Sequence, residues 1–240
     1  MADAVETYEA AQNYSGLNSW LHGFRFRHLV RTAQRLAEPG RPLNVLEIGC
    51  AYGKAYGALD AALAIRYVGV DPHADFIAEA QRRHGARANF RAVCEGGEAF
   101  LAREGESLGP LDLVFALETL EHVPAAEVQR ILERIAALRP RLFVASVPVE
   151  VGPAVVLKNL GSALTGYQRH KEYSFAETLW AGIYRLDKVA PHQCGHKGFD
   201  WRWLVHTIHQ AMPIVRVRRF PANWLPGALA TSIYIEAAPR

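Results

Sequence analysis

An apolar run that stops at a glycine sets what the first half of this chain can be. Val45 to Ile48 reads as a short buried strand; Gly49 ends it and Gly53 follows. A strand that enters a glycine turn and then a helix brings backbone N–H groups close to a ligand. Only small residues permit that approach. A second strand-like run, Tyr67-Val68-Gly69-Val70, ends in Asp71. An acid at the tip of a neighbouring parallel strand is placed to bind the two hydroxyls of a ribose.

The stretch Glu47-Ile48-Gly49-Cys50-Ala51-Tyr52-Gly53 resembles the acid-x-Gly-x-Gly-x-Gly turn of the class I S-adenosylmethionine-dependent methyltransferases, with Ala51 in place of the middle glycine. The resemblance implies S-adenosylmethionine as cofactor. It implies that Glu47 holds the cofactor's amino group and that Gly49, Ala51 and Gly53 pass beneath its methionine and ribose. Asp71 would take the ribose diol. Glu95, just past a third strand, matches the place where that family often sets an acid against the adenine amino group.

Strand and helix alternate as far as Val147. Strands are expected at Asn89 to Val93, Leu111 to Ala116 and Arg141 to Val147. Helices are expected from Lys54 to Leu63, from Pro72 to His84 with Asp71 as cap, and through Val128, Ile131, Leu132, Ile135 and Leu138. This alternation implies a parallel sheet covered on both faces. A leading helix is expected over Leu17 to Leu36, with Arg27, Arg31 and Arg35 on one side. In the resembling family such a helix often covers the cofactor; a packed outer helix fits equally.

Beyond Pro148 the pattern changes. Apolar helical stretches, Val151 to Leu164 and Ser174 to Leu186, lie in an insertion over 149–198 that reads as core or as a substrate lid. A helix from Phe199 to Gln210 follows, then strands Ile214 to Phe220 and Thr231 to Ala237. The expected fold is α/β: a doubly wound, mostly parallel seven-stranded sheet closed by a C-terminal antiparallel hairpin, the Rossmann-like methyltransferase fold. One domain over 1–240 is expected, with 1–40 as an N-terminal arm and helix.

Composition narrows the rest. Half of the 240 residues are hydrophobic, enough for a large core, and the net charge of +3 is no strong signal for nucleic acid. Three scattered cysteines fit a reducing compartment. The acidic start is unlike a signal peptide, and no apolar stretch is long enough to span a bilayer. A cytoplasmic protein acting on a small-molecule substrate is expected.

Glu118-Thr119-Leu120-Glu121-His122 falls just past the fourth strand, where ligands bind in such sheets. Glu118 reads as facing cofactor or substrate. Similar segments are associated with a divalent metal in some methyltransferases and with none in others, so metal binding stays undecided. His192, Cys194 and His196 could ligate zinc, but no second ligand pair stands at structural-site spacing. A loop closing over the substrate is the better reading, with Asp200 capping the next helix. Tyr167 to Lys171 fits the Tyr-x-x-x-Lys signature of short-chain dehydrogenases but reads as a basic surface loop, because the nearest upstream serine, Ser162, is too close.

A hydroxyl acceptor needs a proton acceptor that titrates near working pH, which makes His122 and His196 the catalytic candidates. The expected activity is methyl transfer to a small-molecule hydroxyl. A nicotinamide-dependent, NAD(P)-linked oxidoreductase and an inactive cofactor-binding partner subunit are the alternatives.

Overall fold

The computed structural model describes residues 17–165, 173–190 and 197–239, with side chains from 25 onward in the leading helix and none over 161–165. Tyr167 to Lys171 and His192, Cys194 and His196 lie outside the described residues.

Seven strands form one sheet: β1 Leu43–Ile48, β2 Ile65–Asp71, β3 Phe90–Cys94, β4 Leu113–Leu117, β5 Leu142–Pro148, β6 Ile214–Phe220 and β7 Ser232–Ala237. Their order is β3-β2-β1-β4-β5-β7-β6. The pairs among β1 to β5 are parallel, and β7 runs antiparallel to both β5 and β6. The chain leaves β3 at one edge and returns beside β1 as β4. The order therefore reverses between β1 and β4, and a crevice is expected beyond their carboxyl ends. Both strands are buried nearly throughout, as their apolar runs require.

Helices cover both faces. The leading helix α1, Leu17–Leu36, and helix α2, Lys54–Asp60, pack on the face of Val45, Leu113 and Phe115 through Leu29, Ala33, Tyr56 and Leu59. Helix α3 is Ala74–His84. The opposite face, of Leu46, Ile48 and Val114, is covered by α4, Gly97–Glu104, α5, Ala125–Leu138, and α8, Trp201–Ala211. Glu47 alternates with Leu46 and Ile48, so it points toward α1. That helix is fastened to the sheet by the buried Glu236 on β7, which accepts hydrogen bonds from Arg35 at 2.8 Å and Thr32 at 3.5 Å.

The inserted helices are α6, Pro153–Thr165, and α7, Phe175–Gly182. They share a small core of Val155, Tyr173, Ala181 and Val189. Ser174 caps α7 and closes a capping box with Glu177, which sharpens the start expected there. Val151 and Val155 are buried as core residues, but Leu157 and Leu160 stand 60% and 58% exposed, so the outer face of α6 is itself apolar.

Two local expectations are corrected. Pro72 does not open α3: the helix starts at Ala74 with His73 at the cap position, and Asp71 accepts the His73 N–H from outside the helix at 3.0 Å. Helix α4 has no counterpart in the sequence reading. Gly97 is the close-packing point: a Cβ there would lie 2.6 Å from Ile48 Cγ2. Asp200 does cap α8, accepting from Arg202 N–H at 2.9 Å. No helix among the described residues is long and apolar enough to cross a membrane.

Candidate functional site

The turn after β1 holds its shape by its own hydrogen bonds. Gly49 and Cys50 N–H both donate to Val70 carbonyl, at 2.8 and 3.0 Å, and Gly53 N–H donates to Cys50 carbonyl at 2.9 Å. Ala51 N–H donates to Asp71 Oδ2 at 3.0 Å. The N–H groups of these residues are thus not bare, as the sequence alone implied. A ligand meets the outer surface of a turn that is already satisfied.

Left-handed backbone makes that turn possible, with φ +78° at Gly49 and +81° at Gly53. Gly49 has a further reason to be glycine. A Cβ there would fall 2.3 Å from both Thr119 Cγ2 and Oγ1, so the space beside it belongs to the chain past β4 and not to a ligand. Ala51 also takes a left-handed φ, +44°. The methyl in place of the usual glycine is therefore a backbone strain as well as a steric addition near the cofactor. Ala51→Gly should raise stability by about 1 kcal/mol, the relief of that strain less the extra freedom of glycine when unfolded. Thermal unfolding measures it; a fall in stability would contradict the strained geometry.

Glu47, Gly49, Cys50, Ala51, Tyr52, Lys54, Ala55 and Leu117 wall a cavity at the carboxyl ends of β1 and β4, and Arg25 and Phe26 of α1 close over it. The leading helix therefore does cover this site. Glu47 is almost fully buried and accepts the Tyr67 hydroxyl. Burial pushes its carboxyl up to about 8; the Tyr67 hydrogen bond opposes the rise, Asp71 adds to it and Arg25 opposes it. Asp71 is also buried and raised, chiefly by desolvation, against the pull of the His73 and Ala51 N–H groups. Its two oxygens each take one backbone N–H, so the carboxylate is oriented by the turn it stands beside.

The remaining candidates diverge. Glu95 N–H donates to Asp71 carbonyl, so the tips of β2 and β3 adjoin, but the Glu95 carboxylate is held by Arg103. Glu118 sits in left-handed backbone, φ +52°, next to Thr119, whose side chain packs against Gly49. Its Oε1 lies 3.2 Å from both Ser146 Oγ and Ser232 Oγ, at the ends of β5 and β7. Glu121 is buried and His122 exposed in the short turn Leu120–His122. Among the described residues, no three His, Cys, Asp or Glu side chains converge as a metal site. His196 lies outside the described residues.

Arg25 is the residue that sequence reasoning missed. The signal was available: it stands four positions before the buried Leu29, on the packed side of α1 and not on the exposed side of Arg27 and Arg31.

A family model described as "Methyltransferase domain" matches residues 46–140, the part that carries the turn, Asp71 and the loop past β4. No curated protein sequence matches the chain. Solved structures are similar at low identity. The magnesium protoporphyrin IX methyltransferase of Synechocystis PCC 6803, with bound SAH, has TM-score 0.60 and 16% identity over 99% of this chain and 94% of that one. The N-methyltransferase NodS of Bradyrhizobium japonicum WM9 has TM-score 0.52 and 14% identity over 90% and 98%. A TehB-like SAM-dependent methyltransferase of Corynebacterium glutamicum ATCC 13032 Kitasato has TM-score 0.54 and 11% identity over 91% and 96%. These structures share the fold, the family model covers the turn that defines it, and the nicotinamide alternative finds no support in either. Residues 46–140 therefore match a methyltransferase domain, and the chain shares the Rossmann-like fold of these solved methyltransferases.

Proposed function

We propose that the protein transfers a methyl group from S-adenosylmethionine to a hydroxyl of a small-molecule acceptor. The observation that carries the cofactor half is the cavity in which Glu47 and the glycine turn face Arg25 and Phe26. The residues fit the cofactor: a buried carboxylate for its ammonium, an open turn surface for its methionine and ribose, and an oriented Asp71 at the ribose end. Glu95 is a weaker candidate for the adenine amino group, because Arg103 already occupies its carboxylate.

When bound, the cofactor supplies a methyl already activated on a sulfonium. What the chain must add is alignment, exclusion of water and somewhere for the acceptor's proton to go. Glu118, anchored beside Ser146 and Ser232 past β4, stands on the acceptor side of the crevice. His122, in the next turn, is the proposed proton acceptor for a hydroxyl, since imidazole titrates near neutral pH.

The test is a panel of hydroxyl, amine, thiol and carbon acceptors incubated with methyl-labelled cofactor, read by mass. Methylation of hydroxyl compounds is expected, and His122→Ala should lower turnover by about 10²-fold or more without moving affinity for S-adenosylhomocysteine. Methylation confined to nitrogen or carbon acceptors would overturn the hydroxyl assignment. Cofactor binding with no turnover on any acceptor would favour a non-catalytic partner subunit.

A further inference from the structure

We propose that the inserted helices α6 and α7, with the loop between β6 and β7, form a docking surface for an anionic lipid bilayer. The apolar outer faces of the two helices would seat among the lipids, and the basic side chains of the same elements would meet the headgroups. This surface lies at the carboxyl end of β5, the end of the sheet that also carries the cavity.

All the large apolar side chains that stand exposed among the described residues belong to residues 157–229. Leu157 and Leu160 share one side of α6, and Phe175, Leu179 and Ile183 follow one stripe along α7 and the residue that ends it. The helices meet on other sides. Val155 and Ala181 share the small core, and Asn159 donates to Thr178 Oγ1 at 2.9 Å. By helical period both stripes flank that seam on the side away from the core, so they form one outer face. Lys158 of α6 donates to Thr231 carbonyl at 3.0 Å, which draws the β6–β7 loop alongside. That loop adds Trp224, 83% exposed, and Leu229. Single exposed apolar side chains are ordinary, but a contiguous face of them marks a contact with protein or membrane.

Charge chooses between the two. Residues 153–231 hold ten Lys and Arg against four Asp and Glu, an excess larger than the net +3 of the whole chain. Three of those acids, Glu177, Asp187 and Asp200, are held in ion pairs by Lys197, Arg185 and Arg202. The fourth, Glu172, lies outside the described residues. Strand β6 and its loop carry Arg216, Arg218 and Arg219 and no acid. A second copy laid face to face would set this positive excess against itself, whereas an anionic leaflet opposes it. Apolar area joined to basic charge is what holds a protein at a lipid surface, and indole rings such as that of Trp224 suit its boundary.

The test is sedimentation of the full chain with vesicles of phosphatidylcholine alone and of phosphatidylcholine mixed with phosphatidylglycerol, with its mass in solution read by light scattering. Binding to the anionic vesicles is expected, weakening as salt is raised, with less binding to the neutral ones. Leu157→Gln/Leu160→Gln and Leu179→Gln/Ile183→Gln should each weaken binding to the anionic vesicles by about 10- to 100-fold, the loss of two apolar side chains from the seated face. Val215→Gln changes an equally exposed residue near the other end of β6 and should alter it by less than about twofold. Trp224→Ala, in the loop and outside both helices, should weaken it by about 10-fold, and reads the same surface if a helix variant proves unstable. No binding to either vesicle would overturn the proposal, as would equal effects of Val215→Gln and the helix variants. A wild-type dimer that the helix variants dissociate would assign the face to a second copy and overturn it as well.

Discussion

Gly49→Ala should destabilise the protein by roughly 2–5 kcal/mol and weaken S-adenosylhomocysteine by more than about 10²-fold. Two costs add. The new Cβ falls 2.3 Å from two side-chain atoms of Thr119, and an alanine must hold a φ of +78°. The clash is with the chain past β4, so a second substitution separates the two costs. Thr119→Gly removes the atoms in the way and leaves the backbone strain. The double variant Gly49→Ala/Thr119→Gly should therefore recover the packing part of the loss but not the rest. Coupling between the two sites, read from a double-mutant cycle of unfolding free energies, checks this. Strictly additive losses would show that the turn and the Thr119 side chain do not meet as described.

Cofactor binding should release close to one proton at pH 6–7, and that proton should come from Glu47. In the free protein burial holds this carboxyl up to about 8, so it is mostly protonated at neutral pH. An ammonium brought against it favours the ionised form. Affinity should therefore rise as pH is raised toward 8, by up to tenfold per unit. The sign for stability is the reverse. A folded-state value near 8 lies above the ordinary 4.5, so the folded protein holds a proton that the unfolded chain releases between them. That contribution is complete below about 4.5 and is lost as pH rises through about 8. Glu47→Gln should remove both effects: unfolding free energy should no longer fall across that window, and calorimetry in buffers of different ionisation enthalpy should detect no release. Equal proton release by the wild type and the glutamine variant would assign the proton elsewhere.

What was legible in the sequence follows from how local its causes are. Strand β1, the turn at Gly49 and the acid at the end of β2 declare themselves through short apolar runs and glycine, so they could be placed directly. Helix α5 was legible because Val128, Ile131, Leu132 and Ile135 repeat at helical spacing, and all are buried. The misses arose where a contact from elsewhere in the chain decides. Asp71 looked like a helix cap, but Ala51 N–H, twenty residues away, holds one of its oxygens. The partners of the Glu118 carboxylate, Ser146 and Ser232, could not be read either, the latter being 114 residues distant. Arg25 could be seen as a cation on the packed side of α1, but what it faces depends on where that helix lands. Leu157 and Leu160 matched the pattern of core residues, yet the short α6–α7 pair buries only one side of itself.

The fold does not choose the acceptor. Solved structures that share this fold include one titled an N-methyltransferase and one titled a carbon methyltransferase, each with TM-score above 0.5.

The central claim is that the cavity between β1, β4 and α1 is built for S-adenosylmethionine. It is tested most directly by titrating the purified protein with S-adenosylhomocysteine and with NADH in parallel calorimetry, using Gly49→Ala as the control. The expected result is saturable one-to-one binding of S-adenosylhomocysteine, lost in the control, and no heat from NADH. Binding of NADH with none of S-adenosylhomocysteine would contradict it.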